Sequence, residues 1–205
     1  MKQTILDVDL LAFEQGTKFQ QAAVVDGLMR SLGTGFVVTT NDLPAALLDE
    51  AYGMLSHFFA LETTTKRQFN VPEAFGQTGY TDTLVETAAG EKLPDWKEML
   101  NWALPLPDNH PLRRRFPTLY PEQLLPEVAV PGITGVLQTF HQTIAELQRR
   151  VLRIIATGLG CHHDFFTDLI QDAPTLTRAI RYPPMSEAPA AGHMWAAAHG
   201  DINLI

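Results

Sequence analysis

Ala196-Ala197-Ala198-His199-Gly200-Asp201-Ile202-Asn203-Leu204-Ile205 sets an imidazole and a carboxylate two residues apart on an apolar background. The stretch reads as a β-strand, where residues i and i+2 project from one face, so both side chains can reach a single metal ion. A mixed nitrogen and oxygen site of this kind suits divalent iron or manganese. A third ligand from another strand would complete a facial set with open positions. The spacing alone is a short motif that context must support. His162-His163-Asp164 repeats it, but follows Thr157-Gly158-Leu159-Gly160, which reads as a helix end. Asp164 then falls where an N-cap would start a helix at Phe165.

Working outward, a chain of 205 residues with 45% hydrophobic content is long enough for one substantial core. The net charge of −8 argues against nucleic-acid or anionic-membrane partners, which need a dominant positive field. Arg113-Arg114-Arg115, a triplet in a proline-rich loop, reads as a solvated face. Cys161 is the single cysteine, so no internal disulfide can form and a reducing, cytoplasmic compartment is expected. The amino-terminal residues meet Asp7 and Asp9 too early for a secretory leader, and no apolar run approaches membrane-spanning length.

The spacing predicts a short strand within 5–11 and a helix over 17–32 that stops at Gly33. Phe36-Val37-Val38-Thr39-Thr40 is β-branched and reads as a strand. A helix opening at Pro44 buries Leu47, Leu48, Ala51, Met54, Leu55, Phe58 and Phe59, and leaves His57 as a packing or surface residue. Residues 63–90, rich in Thr and Gly, read as irregular. A strand is expected over 95–102, although its polar and apolar residues do not separate cleanly at either period. Seven prolines between 105 and 131 mark a crossover running over the surface. From Ile133 to Leu159 apolar residues step by threes and fours, predicting a helix about 40 Å long with His141 on its polar side. Thr175 to Tyr182 alternates as a strand and ends at Pro183-Pro184.

Several of these pieces, taken in order, carry a family likeness. Gly35-Phe36-Val37-Val38-Thr39-Thr40-Asn41, Phe58-Phe59-Ala60-Leu61 with Lys66, Gly79-Tyr80, Asp95-Trp96-Lys97-Glu98, Leu159-Gly160, Arg181-Tyr182-Pro183-Pro184 and His199-Gly200-Asp201 fall in one sequence. Their order resembles the isopenicillin N synthase-like group of non-haem Fe(II), 2-oxoglutarate-dependent oxygenases. The resemblance implies an α+β fold: a double-stranded β-helix (a jelly roll, cupin-like) preceded by a mainly helical region, with only the first core strands in this chain. Residues 1–130 would form the helical region and proline-rich crossover. Residues 131–205 would give the long scaffold helix and the start of the oxygenase core, the whole making one continuous structural domain.

The same resemblance implies that His199 and Asp201 bind Fe(II), that Tyr182 and Arg178 line a 2-oxoglutarate pocket, and that Glu98 and Asn101 border the substrate. The implied activity is oxidation of a small organic molecule by dioxygen (hydroxylation, desaturation or cyclisation) with release of succinate and carbon dioxide. Two departures stand out. Thr118-Leu119-Tyr120-Pro121 replaces the Asn-x-Trp-Pro of many members. The family's distal iron-binding histidine and its 2-oxoglutarate-binding arginine find no counterpart, and are expected after Ile205 in a longer protein. A catalytically silent or truncated jelly-roll binding protein, and an iron oxygenase that does not use 2-oxoglutarate, are the rival readings.

Overall fold

The computed structural model describes residues 5–200 and 204–205. The chain divides into two compact units, one made of the residues up to Ala45 with Gln142–Ala173, the other of Ala46–His141 with Pro174–Ile205.

In the first unit, β1 (Asp7–Asp9) pairs in parallel with β2 (Val38–Thr40), the β-branched run anticipated above. Between them lie α1 (Leu10–Gln15), capped by the Asp9 carboxylate, and α2 (Lys18–Leu32). Thr17 and Gln20 close a reciprocal capping box at the start of α2, satisfying donors that a helix end leaves unpaired. Val8, Leu10 and Leu28 form this unit's core with Leu152, Ile154 and Ile155 of α6 (Ile133–Gly158). The guanidinium of Arg150 is held by both Glu14 oxygens and by Asp42, at 2.6–2.8 Å.

The helix expected at Phe165 starts later, as α7 (Thr167–Ile170), and its cap position is Phe166. Asp164 does not cap it: its carboxylate lies against Arg153 and His163 instead.

The second unit is built on an antiparallel sheet of three strands in the order β3 (Gly79–Thr81), β4 (Glu98–Trp102), β5 (Thr177–Arg181). β3 sits where irregular structure was expected, in a stretch that also holds α4 (Thr63–Lys66) and two turns of 3₁₀ helix. Gly79 is what allows it there. Its φ is +77°, and a Cβ at that point would lie 2.4 Å from the Phe69 carbonyl oxygen, so only glycine can pass this close to the preceding turn.

Register divides the sheet's side chains. Glu98, Leu100 and Trp102 share a face with Tyr80, Arg181, Ala179 and Thr177. That face packs on α3 (Ala45–Phe59) and the first turns of α6: the Phe58 ring stands edge-on to Tyr80, Phe59 and Phe69, and the Trp102 indole donates to the Leu137 carbonyl at 2.9 Å. Met99 and Asn101 look the other way, with Thr81, Arg178 and Ile180.

Two expectations need correction. His141 is not a surface residue: it is 3% exposed, its Nδ1 lies 2.7 Å from the Thr177 hydroxyl, and burial lowers its pKa from the ordinary imidazole value. The strand expected over 196–205 is also missing among the described residues; residues 195–196 form a bend and 197–200 are irregular. The proline-rich crossover holds, with a single short helix, α5 (Pro111–Arg115), inside it.

Candidate functional site

The face of the sheet turned away from the helices carries a chain of hydrogen bonds and ion pairs. Arg178 Nε donates to Asn101 Oδ1 at 2.8 Å, and the Asn101 amide in turn donates to the Gly79 carbonyl and the Thr81 hydroxyl, each at 3.3 Å. The Arg178 guanidinium also meets Glu86 at 3.4 Å. Glu86 accepts from Lys97 at 3.2 Å, and Lys97 donates to Asp95 Oδ2 at 2.8 Å. The other Asp95 oxygen accepts the backbone N–H of Ala197 at 3.0 Å. A line of polar groups thus runs from β5, across β4, to a backbone amide two residues before His199.

Asp95 is 3% exposed, so its environment sets its charge. Burial alone would raise its pKa. The Lys97 hydrogen bond, the Ala197 N–H and the positive charge of Lys97 outweigh burial and hold it below the usual carboxylate value. Burial would likewise lower the Lys97 pKa, but its bonds to Asp95 and Glu86 raise it. Both groups stay ionised at neutral pH, and each supplies the other's counter-charge.

The segment bearing His199 is tied down elsewhere too. Trp96 N–H donates to the Met194 carbonyl at 2.7 Å, and the Trp195 indole donates to the Pro183 carbonyl at 2.7 Å. The Trp96 indole reaches the Pro184 carbonyl at 3.1 Å. The backbone bonds that a strand would have drawn from a neighbour therefore come in part from side chains and from the turn before β4.

His199 Nδ1 lies 2.7 Å from the Ala197 carbonyl oxygen. A carbonyl can only accept, so Nδ1 carries a proton and a metal would be met by Nε2. An Nδ1–H held by a backbone carbonyl, with Nε2 turned to the metal, is one of the arrangements that orient ligating histidines. His199 therefore fits a metal site. Asp201 lies outside the described residues.

The other expected site residues fall as follows. Arg178 and Asn101 are bonded directly to each other, and Tyr182 follows β5 with its ring 6.2 Å from Trp195 and half exposed. Glu98 is separated from them. It points to the helix-packed face, is 2% exposed, and accepts from Lys66 Nζ and the Tyr80 hydroxyl at 2.6 Å each, with Arg181 on its second oxygen. Burial, and then Glu98 itself, push the Tyr80 phenol well above its ordinary pKa.

In the first unit, the donor atoms of His162, His163 and Asp164 lie within 4.8 Å of one another, all exposed. Asp164 is already paired with Arg153 at 3.4 Å and His163 at 3.0 Å, so a cation there would compete with a guanidinium. Asp95, Lys97 and Glu86 are the members of the polar line that sequence reading missed. The usable signal was alternation: Asp95, Lys97, Met99 and Asn101 keep one parity, and Glu98 the other.

Comparison with known proteins agrees with this layout. Residues 5–127, well over half of the chain, match the family model described as non-haem dioxygenase in morphine synthesis, N-terminal. A solved structure of a Caulobacter crescentus protein assigned to the 2OG-Fe(II) oxygenase family superposes with a TM-score of 0.80 at 29% identity, covering 98% of this chain and 62% of that one. A 2-oxoglutarate-dependent dioxygenase of Gibberella zeae is 29% identical over 82% of this chain and 44% of its own length. The 2-oxoglutarate-dependent dioxygenase tropC of Talaromyces stipitatus is 24% identical over 83% and 54%. The chain thus spans about half the length of the curated relatives it matches. With its helices, its antiparallel sheet and a family match running from β1 into the proline-rich crossover, the chain belongs to the non-haem dioxygenase family.

Proposed function

We propose that the full-length protein is an Fe(II)- and 2-oxoglutarate-dependent oxygenase acting on a small organic substrate with dioxygen. His199 Nε2 and the Asp201 carboxylate would hold the ion, and a third side chain would complete the facial set. When bound, the ion supplies the coupling of dioxygen reduction to oxidative decarboxylation of 2-oxoglutarate, which yields succinate and carbon dioxide. The protein's own residues do the placing. The Ala197 carbonyl holds the His199 ring by its Nδ1 proton. Tyr182 and Arg178, on and just beyond β5, would line the cosubstrate pocket, with the Arg178 guanidinium oriented by Asn101 and Glu86.

Asn101 would border the substrate from the same face. Glu98, on the opposite face, would serve the pocket only through the strand it anchors. The domain reading belongs to the same proposal: residues 1–130 form the helical region and crossover, and residues 131–205 the scaffold helix and first strands of a jelly roll.

The observation that carries the proposal is the 2.7 Å contact of His199 Nδ1 with the Ala197 carbonyl, on a segment whose Ala197 N–H is held by the buried Asp95 carboxylate. The test is succinate formation by the full-length protein with Fe(II), dioxygen and 2-oxoglutarate, in the presence and absence of candidate substrates. Succinate release that is iron-dependent and lost in His199→Ala is expected. Oxidation that proceeds with iron but without 2-oxoglutarate would overturn the cosubstrate assignment, and iron-independent turnover would overturn the whole reading.

A further inference from the structure

The polar line on the sheet ends at a place where its chemistry has an evident use. Asp95 and Ala197 are both almost wholly buried, at 3% and 2% exposure. The bond between them is a carboxylate accepting a backbone N–H, which is stronger than a neutral pair and short-range enough to fix a backbone position. The carbonyl of that same residue, Ala197, accepts the Nδ1 proton of His199. Asp95 therefore grips the residue that orients the imidazole. Its second oxygen is held by Lys97, and Lys97 by Glu86, so the carboxylate cannot turn away without breaking an ion pair that is itself shielded from water.

The backbone around Asp95 is fixed as well: its N–H donates to the Glu86 carbonyl at 2.8 Å, and its own carbonyl accepts from Leu84 at 3.2 Å. No regular strand pairing holds residues 196–200 among the described residues, so this side-chain grip takes the place of a ladder bond.

We propose that Asp95 is a positioning residue for the metal centre, acting through the Ala197 backbone to hold the His199 ring in its ligating orientation, with Lys97 and Glu86 locking Asp95 in turn. This rests on the reading of His199 as a metal ligand. Loss of the Asp95 carboxylate leaves the Ala197 N–H buried without its acceptor and lets the segment shift. Supporting residues of this kind typically cost about 10- to 100-fold in metal affinity when removed.

The test is anaerobic titration of the full-length protein with Co(II), an air-stable stand-in for Fe(II) whose visible absorption reports the geometry of its ligands, at a temperature well below each variant's unfolding. Wild type is expected to bind, and His199→Ala to lose binding. Asp95→Ala should bind about 10- to 100-fold more weakly, with an altered absorption band. Asp95→Asn, whose amide oxygen can still accept the Ala197 N–H, should fall between wild type and Asp95→Ala. Arg150→Met, which breaks the ion pairs with Glu14 and Asp42 in the first unit, serves as a control that lowers stability without changing Co(II) affinity.

Wild-type affinity in Asp95→Ala, alongside lost binding in His199→Ala, would overturn the role of Asp95 and leave the metal reading standing. Should Asp95→Ala fail to fold, wild-type affinity and spectrum in Asp95→Asn would overturn it equally. A wild-type protein that binds no Co(II) would overturn the metal reading and this inference together.

Discussion

Removing one partner of the Lys66–Glu98 pair should destabilise the protein far more than removing both. The ammonium and carboxylate lie 2.6 Å apart with side-chain exposures of 5% and 2%, so neither can recover water when the other is lost. In Glu98→Leu the Lys66 ammonium keeps the Phe59 carbonyl at 3.2 Å and the face of the Tyr80 ring, 5.6 Å from its centroid, but no counter-charge. In Lys66→Met the Glu98 carboxylate keeps Tyr80 and Arg181 but loses its buried counter-charge.

Breaking such a pair from one side costs about 3–5 kcal/mol. For a chain of this size each kcal/mol moves Tm by roughly 2–4 °C, so either single variant should melt about 6–20 °C below wild type. The double variant is different, because its stranded groups have other outlets. The Tyr80 hydroxyl retains Asp82 at 3.1 Å, and Arg181, 43% exposed, can be solvated. Only the Phe59 carbonyl loses a donor outright, at about 1 kcal/mol. Urea unfolding of the four proteins closes a double-mutant cycle, with an expected deficit of about 1–2 kcal/mol for the double variant and a coupling of several kcal/mol. Single variants within about 1 kcal/mol of wild type, or effects that simply add, would refute the reasoning.

Two further consequences are open to measurement. Because burial lowers the pKa of His141 in the folded state, its contribution to stability is present above the ordinary imidazole value and declines as pH falls through the interval below it. His141→Asn, which can still reach the Thr177 hydroxyl, should flatten the stability profile measured by urea unfolding between about pH 7 and 5, and an unchanged slope would count against a buried neutral ring. Gly79→Ala forces a Cβ to 2.4 Å from the Phe69 carbonyl at a φ of +77° and should cost about 1–3 kcal/mol or more, read as faster amide exchange in β3 and β4; a variant with wild-type Tm and protection would contradict the close approach.

Elements whose hydrophobic pattern has one period were legible in the sequence. The stepping from Ile133 gave α6, and the β-branched run at Val37-Val38-Thr39-Thr40 gave β2. β4 was expected as a strand but not as a face-resolved one, because both of its faces carry polar residues. Asn101, with Asp95 and Lys97 just upstream, looks one way while Glu98 looks the other, and every one is buried, so alternation of polar with apolar fails. His141 was misplaced for a related reason. Its polar neighbours on α6 suggested water, whereas the helix there packs against the sheet and the Thr177 hydroxyl meets the ring at Nδ1. The residues at 196–200 read as a strand from composition alone, yet their backbone partner is the Asp95 side chain, 102 positions away, which no local pattern reports.

The most direct measurement is the Fe(II) content of the anaerobically reconstituted full-length protein beside its His199→Ala variant, with circular dichroism to confirm that the fold is kept. One iron per chain in the first and none in the second is the expected result. Equal iron in both, or none in either, would contradict the assignment of His199 as the ligand around which the polar face of the sheet is arranged.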